Sequence, residues 1–206
     1  MYNQKDWVGY LIRCGVLKFG QFTLKDGSSS PFFLDFGSIC TGQAFRELGI
    51  FFCQRIEETL GFQGVDFLYG PPYKATVMAA ATAMGLTTRE MPCFFSRKEA
   101  KDHGERGMSF GFRPEPGHSY LMLDDVMSSG ATKIAALSVL KQQRCRAVVV
   151  GVDRQHRQGS QTAAEAFTAE TGVPVLSLVT LSELTELVQD MVPEDQHRAL
   201  REFCGA

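Results

Sequence analysis

Residues 119–132, SYLMLDDVMSSGAT, place two adjacent carboxylates, Asp124 and Asp125, at the end of an apolar run and follow them with small and hydroxylated residues. If the run is a strand, successive side chains point to opposite faces and the two carboxylates diverge, one toward a ligand and one toward a neighbour or a second ligand group. Ser128, Ser129, Gly130, Ala131 and Thr132 then offer hydroxyls and a run of backbone N–H groups where a helix would open. That chemistry suits a phosphate dianion. The same residues also read as a plain helix N-cap with acidic residues favouring the macrodipole. A second concentration of charge is FFSRKEAKDHGERG, residues 94–107. Here Arg97, Lys98, Lys101, His103 and Arg106 alternate with Glu99, Asp102 and Glu105, leaving about one unit of positive charge. Gly104, Gly107 and Gly111 favour a hinged flap over a salt-laced exposed helix.

The elements that must carry these groups follow from periodicity. From residue 42 onward strand and helix patterns alternate, the signature of a mostly parallel sheet covered on both faces. Expected strands are 65–70, 93–96, 119–125, 147–153 and 173–181, and expected helices are 43–60, 73–84, 130–143 and 160–171, with two short helices at the end. Runs such as Tyr120-Leu121-Met122-Leu123 and Val148-Val149-Val150 are continuously apolar, as strands buried on both faces are. Before residue 42, a helical pattern over 4–18 precedes two short extended pieces around a Gly/Ser/Pro turn in 19–37. This makes residues 1–40 a small subregion beside the main fold, and the whole of 1–206 a single domain. Ligands of open α/β sheets collect beyond the carboxyl ends of the strands, which is where the acidic pair falls.

Composition narrows the function classes. With 206 residues, 21 Lys+Arg against 23 Asp+Glu and 44% apolar residues, the chain can bury a sizeable core and lacks the cationic excess of a protein that coats nucleic acid. No run approaches a membrane span. No G-x-G spacing and no Walker lysine occur, which weakens dinucleotide and nucleoside-triphosphate readings. The six cysteines, at 14, 40, 53, 93, 145 and 204, lie mostly in apolar or helical contexts and suit reduced thiols, hence a cytoplasmic location. His156 and His197 read as surface residues.

LMLDDVMSSGAT resembles the phosphoribosyl-pyrophosphate (PRPP) motif of type I phosphoribosyltransferases. FFSRKEAKDHGERG is similar to the mobile catalytic loop of orotate phosphoribosyltransferases, which makes 96–111 the flexible loop. FGQFTLKDGSSSPFFLDFG (19–37), GPPYK (70–74) and VDRQ (152–155) resemble that family's N-terminal, pyrophosphate-binding and orotate-binding segments. The phosphate loop departs from the family's common Thr-Ala-Gly-Thr at Ala131, and Pro72 stands where a small residue is usual. The resemblance implies the type I phosphoribosyltransferase fold: an α/β architecture with a mostly parallel central sheet flanked by helices, an N-terminal hood and a mobile catalytic loop. It implies transfer of ribose 5-phosphate from PRPP to orotate, giving orotidine 5′-monophosphate and pyrophosphate in UMP biosynthesis. Rivals are transfer to another base and a non-catalytic PRPP-sensing regulator on the same fold.

Carried over residue by residue, the catalytic groups are Lys101, His103, Asp124 and Asp125. PRPP contacts fall to Lys25, Tyr73, Lys74, Arg97, Lys98, Lys101, His103 and the stretch Asp124, Asp125, Val126, Met127, Ser128, Ser129, Gly130, Ala131 and Thr132. Orotate contacts fall to Phe33, Leu34, Ser128 and Arg154. Mg²⁺ is the implied cofactor, held mainly through PRPP rather than by protein ligands. A homodimer whose catalytic loop acts in trans is the implied assembly, with no nucleic acid or membrane partner.

Overall fold

A computed structural model describes residues 1–24, 27–101 and 107–205. Helix α1 (Gln4–Arg13) is capped by the Asn3 side chain, which accepts from Lys5 N–H. It stops short of the expected residue 18 because Gly15 turns the chain at φ +66°, a conformation open to glycine. Strands β1 (Leu17–Thr23) and β2 (Ser29–Leu34) pair antiparallel, and a 3-10 turn (Phe36–Ser38) follows. Together they make up the part of the chain before residue 40. It is tied to the main sheet by the indole N–H of Trp7, which donates to the Gly151 carbonyl at 3.1 Å.

Helix α2 (Gly42–Thr59) crosses α3 (Lys74–Gly85), and the two cover one face of a six-stranded sheet. The sheet comprises β3 (Phe67–Tyr69), β4 (Cys93–Lys101), β5 (Gly107–Gly111), β6 (Ser119–Met127), β7 (Arg144–Asp153) and β10 (Val175–Thr180). Their order is β10-β7-β6-β3-β4-β5, parallel throughout except for β5. On the other face lie α4 (Ala131–Leu137) and α5 (Ala163–Thr171), with a small hairpin of β8 (Arg157–Gln158) and β9 (Gln161–Thr162) before α5. Two apolar cores result, one on each side of the sheet. Trp7, Phe52 and Leu121 belong to the first, and Phe67, Tyr120 and Phe167 to the second. Helices α6 (Leu181–Leu187) and α7 (Glu194–Gly205) finish the chain.

Four expectations change. The strand expected to end at 96 runs on to Lys101 and pairs antiparallel with β5, so both ends of the charged segment 94–107, read as a hinged flap, lie in paired strands. Phe95 packs on Phe110 across the two strands, with ring centroids 5.1 Å apart, which extends the pairing beyond the sheet proper. Helix α4 ends at Leu137 instead of 143, where the Ser138 hydroxyl turns back to the Ala135 carbonyl at 2.6 Å. Helix α5 starts at Ala163, not 160, fixed by a capping box between Thr162 and Glu165. His197 is half-buried, its Nε2 3.1 Å from the Thr185 carbonyl, because α7 folds back onto α6.

Candidate active site

The apolar run Tyr120–Leu123 is buried in β6 and delivers Asp124 and Asp125 at the carboxyl end of the sheet. The pleat separates the two side chains, as alternation requires. Each carboxylate is then held in the same way. Asp124 Oδ1 accepts the Asp125 N–H at 2.9 Å and Asp124 Oδ2 accepts from Lys133 Nζ at 2.7 Å. Asp125 Oδ1 accepts the Val126 N–H at 2.8 Å, and Asp125 Oδ2 pairs with Lys74 Nζ at 2.7 Å. The divergence seen in the sequence therefore sends one carboxylate to α4 and the other to α3.

Their surroundings differ. Burial raises the Asp124 carboxyl above its ordinary pKa, the charge of Asp125 adds to the effect, and Lys133 opposes it. For Lys74, burial pulls the ammonium down, but the hydrogen bond and charge of Asp125, with the fields of Asp35 and Asp124, outweigh it, so its pKa stands above the usual lysine value. Lys74 opens α3 at the end of the GPPYK turn, where the Pro72–Tyr73 peptide is cis and Thr76 Oγ1 donates to the Gly70 carbonyl. A cation in the first turn opposes the helix dipole, and Asp125 supplies the compensating charge. Lys98, near the tip of β4, places its Nζ 4.6 Å from the centroid of the exposed Tyr73 ring. Tyr73, Lys74, Lys98, Asp124 and Asp125 are thus brought to one place.

After the acidic pair, Val126 is half-buried and Met127 fully buried, so both offer backbone groups rather than side chains to a ligand. Ser128, Ser129, Ala131 and Thr132 are exposed around Gly130, which turns at φ +77° and packs close to Met127 and Phe167. Arg154, at the end of β7, donates its backbone N–H to the Met127 carbonyl at 3.1 Å, locking the two strand ends together. Its guanidinium lies 5.0 Å from the centroid of the buried Phe32 ring, which Phe203 of α7 meets edge-on from behind. Gln155, at φ +51°, anchors the next turn: its N–H donates to Asp153 and its side-chain carbonyl accepts from Ser182.

Other expected residues lie elsewhere. Phe33 is 41% exposed on the opposite face of β2 from Phe32 and stacks on Phe22, while Leu34 points into the core. Arg97 reaches across the hairpin, donating to the Ser109 carbonyl at 2.9 Å and covering the Phe110 ring. Lys25, Asp102, His103, Gly104, Glu105 and Arg106 lie outside the described residues, as does the side chain of Lys101.

The sequence reading missed Lys133, which is 2% exposed. Its signal was the one that marked Lys74, a cation in a helix's first turn where the dipole disfavours it. It also missed the Lys18–Asp35 ion pair at 2.6 Å, whose aspartate caps the 3-10 turn beneath the site.

No protein-family model matches the chain. The orotate phosphoribosyltransferase of Pseudomonas savastanoi pv. phaseolicola is 37% identical, over 94% of this chain and 92% of that protein. That of Stutzerimonas stutzeri is 36% identical, over 98% of both. The crystal structure of the Francisella tularensis orotate phosphoribosyltransferase superposes with a TM-score of 0.81 at 27% identity, covering 97% of this chain and 98% of that one. Near-complete coverage at this identity, on a sheet that ends in the acidic pair and small-residue loop described above, places the chain in the orotate phosphoribosyltransferase family.

Proposed function

We propose that this chain transfers ribose 5-phosphate from PRPP to N1 of orotate, releasing pyrophosphate and forming orotidine 5′-monophosphate for pyrimidine biosynthesis. The observation that carries the reading is the junction itself: an acidic pair bracketed by Lys74 and Lys133, followed by an exposed Ser/Gly loop, with the Arg154 backbone bonded to Met127 at the end of β6.

Breaking the anomeric C–O bond builds positive charge on the ribose and negative charge on the leaving group, so electrostatics must be aimed at two places. Asp124 and Asp125 lie on the ribose side, where they hold hydroxyls and face the developing cation. Lys74 and Lys98 lie on the pyrophosphate side, joined by Lys101 and His103 from the loop and by Arg97 once substrate draws it from the Ser109 carbonyl. Residues 128–132 anchor the 5′-phosphate through backbone N–H groups and the hydroxyls of Ser128, Ser129 and Thr132. Arg154 takes the orotate carboxylate, a planar match to its guanidinium. The backbone of Phe33 and Leu34 borders the pyrimidine, with Lys25 nearby.

All four oxygens of the acidic pair already have partners, and the nearby Asp35 carboxylate is paired with Lys18. With its carboxylates already engaged, this site would hold Mg²⁺ through the substrate's phosphates, which Lys74 and Lys98 would bind. When bound, the ion neutralises charge on the leaving group.

The assembly we propose is a homodimer. Helix α3 leaves Tyr73, Val77 and Met84 at 70%, 43% and 70% exposure, with Ile50 of α2 at 47% beside them. A helix apolar on all sides belongs in an interior, and a second copy provides one. The loop of one copy then completes the site of the other. A mixture of Lys101→Ala and Arg154→Ala chains, each inactive alone, regains activity if the loop works in trans and stays inactive if it works in cis.

Among the described residues no helix is long and apolar enough to cross a membrane. A cytoplasmic location is supported by six cysteines that form no bridge within the chain.

The deciding assay supplies Mg²⁺, PRPP and orotate and follows loss of orotate absorbance. Turnover is expected. PRPP binding without turnover would make the chain a sensor, and turnover with another base alone would reassign the acceptor.

A further inference from the structure

The two carboxylates of the acidic pair are held by lysines of opposite character. Lys74 has 53% of its side chain exposed and can leave Asp125 for an incoming phosphate, whereas the Lys133 side chain is 3% exposed and has no other destination. Lys133 Nζ also donates to the Val126 carbonyl at 2.8 Å, so one ammonium bridges the Asp124 carboxylate and the backbone two residues further on. That backbone leads directly into the phosphate loop. A buried ammonium costs several kcal/mol unless paired and fully bonded, which makes such a placement a demanding one.

We propose that Lys133 is a positioning residue for the transfer reaction: it holds the Asp124 carboxylate in place and sets the angle at which β6 enters the phosphate loop, leaving Asp125 as the carboxylate released when substrate draws Lys74 away. This rests on the reading of the acidic pair as the ribose site. Lys133 does not touch substrate, because its polar atom is committed beneath the loop.

Among the described residues, several elements bring titratable groups near Asp124. Strand β6 itself contributes Asp125, α3 contributes Lys74, and β3 contributes Tyr69, whose hydroxyl burial keeps neutral by raising its pKa. On β7 the neighbour in register is the apolar Val150. Lys133 on α4 is therefore the buried cation available to hold this charge. Without it, a desolvated carboxylate beside Asp125 gains a proton more readily.

The test measures Mg²⁺–PRPP binding by calorimetry, and kcat and KM, from pH 5.5 to 9 in wild type, Lys133→Met and Lys133→Gln. Lys133→Met removes the charge, and Lys133→Gln keeps an amide donor without it and carries the test if the Met variant does not fold. The acidic limb of PRPP binding should move up by about one pH unit or more in the charge-free variants. KM for PRPP at neutral pH should rise about tenfold or more while KM for orotate stays put. Adding Asp124→Asn to Lys133→Met should abolish the shifted limb, since no carboxylate remains to titrate. A folded Lys133→Met or Lys133→Gln chain whose PRPP limb and KM coincide with wild type overturns the role. Wild-type chain that binds no PRPP overturns the ribose-site reading instead, and the proposal with it.

Discussion

The indole N–H of Trp7 donates to the carbonyl of Gly151, joining the first helix of the chain to the middle of β7 across 144 residues. Trp7 is fully buried, stacked on Tyr10 and edge-on to Phe52. Trp7→Phe retains most of the apolar contact and orphans a buried carbonyl. The expected loss is about 1–3 kcal/mol of stability in urea titration, with kcat/KM unchanged.

Helices α2 and α3 cross through glycine. A methyl group on Gly49 would sit 2.0 Å from the Ala81 carbonyl oxygen, and one on Gly85 would sit 2.7 Å from the Gly49 carbonyl carbon. Backbone, not a movable side chain, occupies that space, so Gly49→Ala forces the helices apart. The expected cost is about 1–3 kcal/mol or more, read as a lower urea midpoint.

Arg154→Lys keeps a charge but loses the planar fork. The expected result is a rise of about 10- to 100-fold in KM for orotate with KM for PRPP unchanged. Equal losses for both substrates would remove Arg154 from the base side.

Lys101 belongs to the loop that closes over pyrophosphate in the proposed mechanism. Lys101→Ala should lower kcat by about 10²-fold while PRPP affinity changes little. An unchanged kcat would refute the leaving-group role.

The Lys18–Asp35 pair gives a pH signature. The hydrogen bond from Lys18 is the largest influence on Asp35 and, with the bonds from Ser38 and the Gly37 N–H and the Lys18 charge, holds it below its ordinary 3.8 against the opposing effect of burial. A depressed carboxyl contributes stability that is full above the unfolded value and fades as pH falls through the folded one. Wild type should therefore lose this contribution only below pH 3.8, and Lys18→Met should lack it at every higher pH. The difference between their urea midpoints should be constant at neutral pH and shrink in acid. A constant gap down to pH 2.5 would contradict it.

How much of this was legible depended on whether the cause was local. β6 and β7 could be read directly because strands buried on both faces must be apolar without interruption, and the acidic pair ends one of them. The Asp-Asp-loop spacing likewise carries its chemistry in adjacent residues. By contrast, the β4–β5 hairpin depends on Phe95 meeting Phe110 across a charged stretch, a pairing no local pattern encodes. Lys133 stood out only as a cation in a helix's first turn, and its burial could not be read locally, since that is created by Asp124 and Val126 of a different element. The phenylalanine beneath Arg154 was placed by α7, some 170 residues downstream of it in the chain.

The bond from the Arg154 N–H to the Met127 carbonyl has a larger meaning for how this site is divided. In the proposed mechanism the sugar phosphate is served from the tip of β6 and the acceptor from the tip of β7, so the gap between the two subsites is the gap between neighbouring strands, about 4.8 Å. The sheet acts as a ruler that neither substrate can stretch. Exchanging the acceptor for a different base then needs new side chains on one strand tip, with the sugar-binding half left as it is.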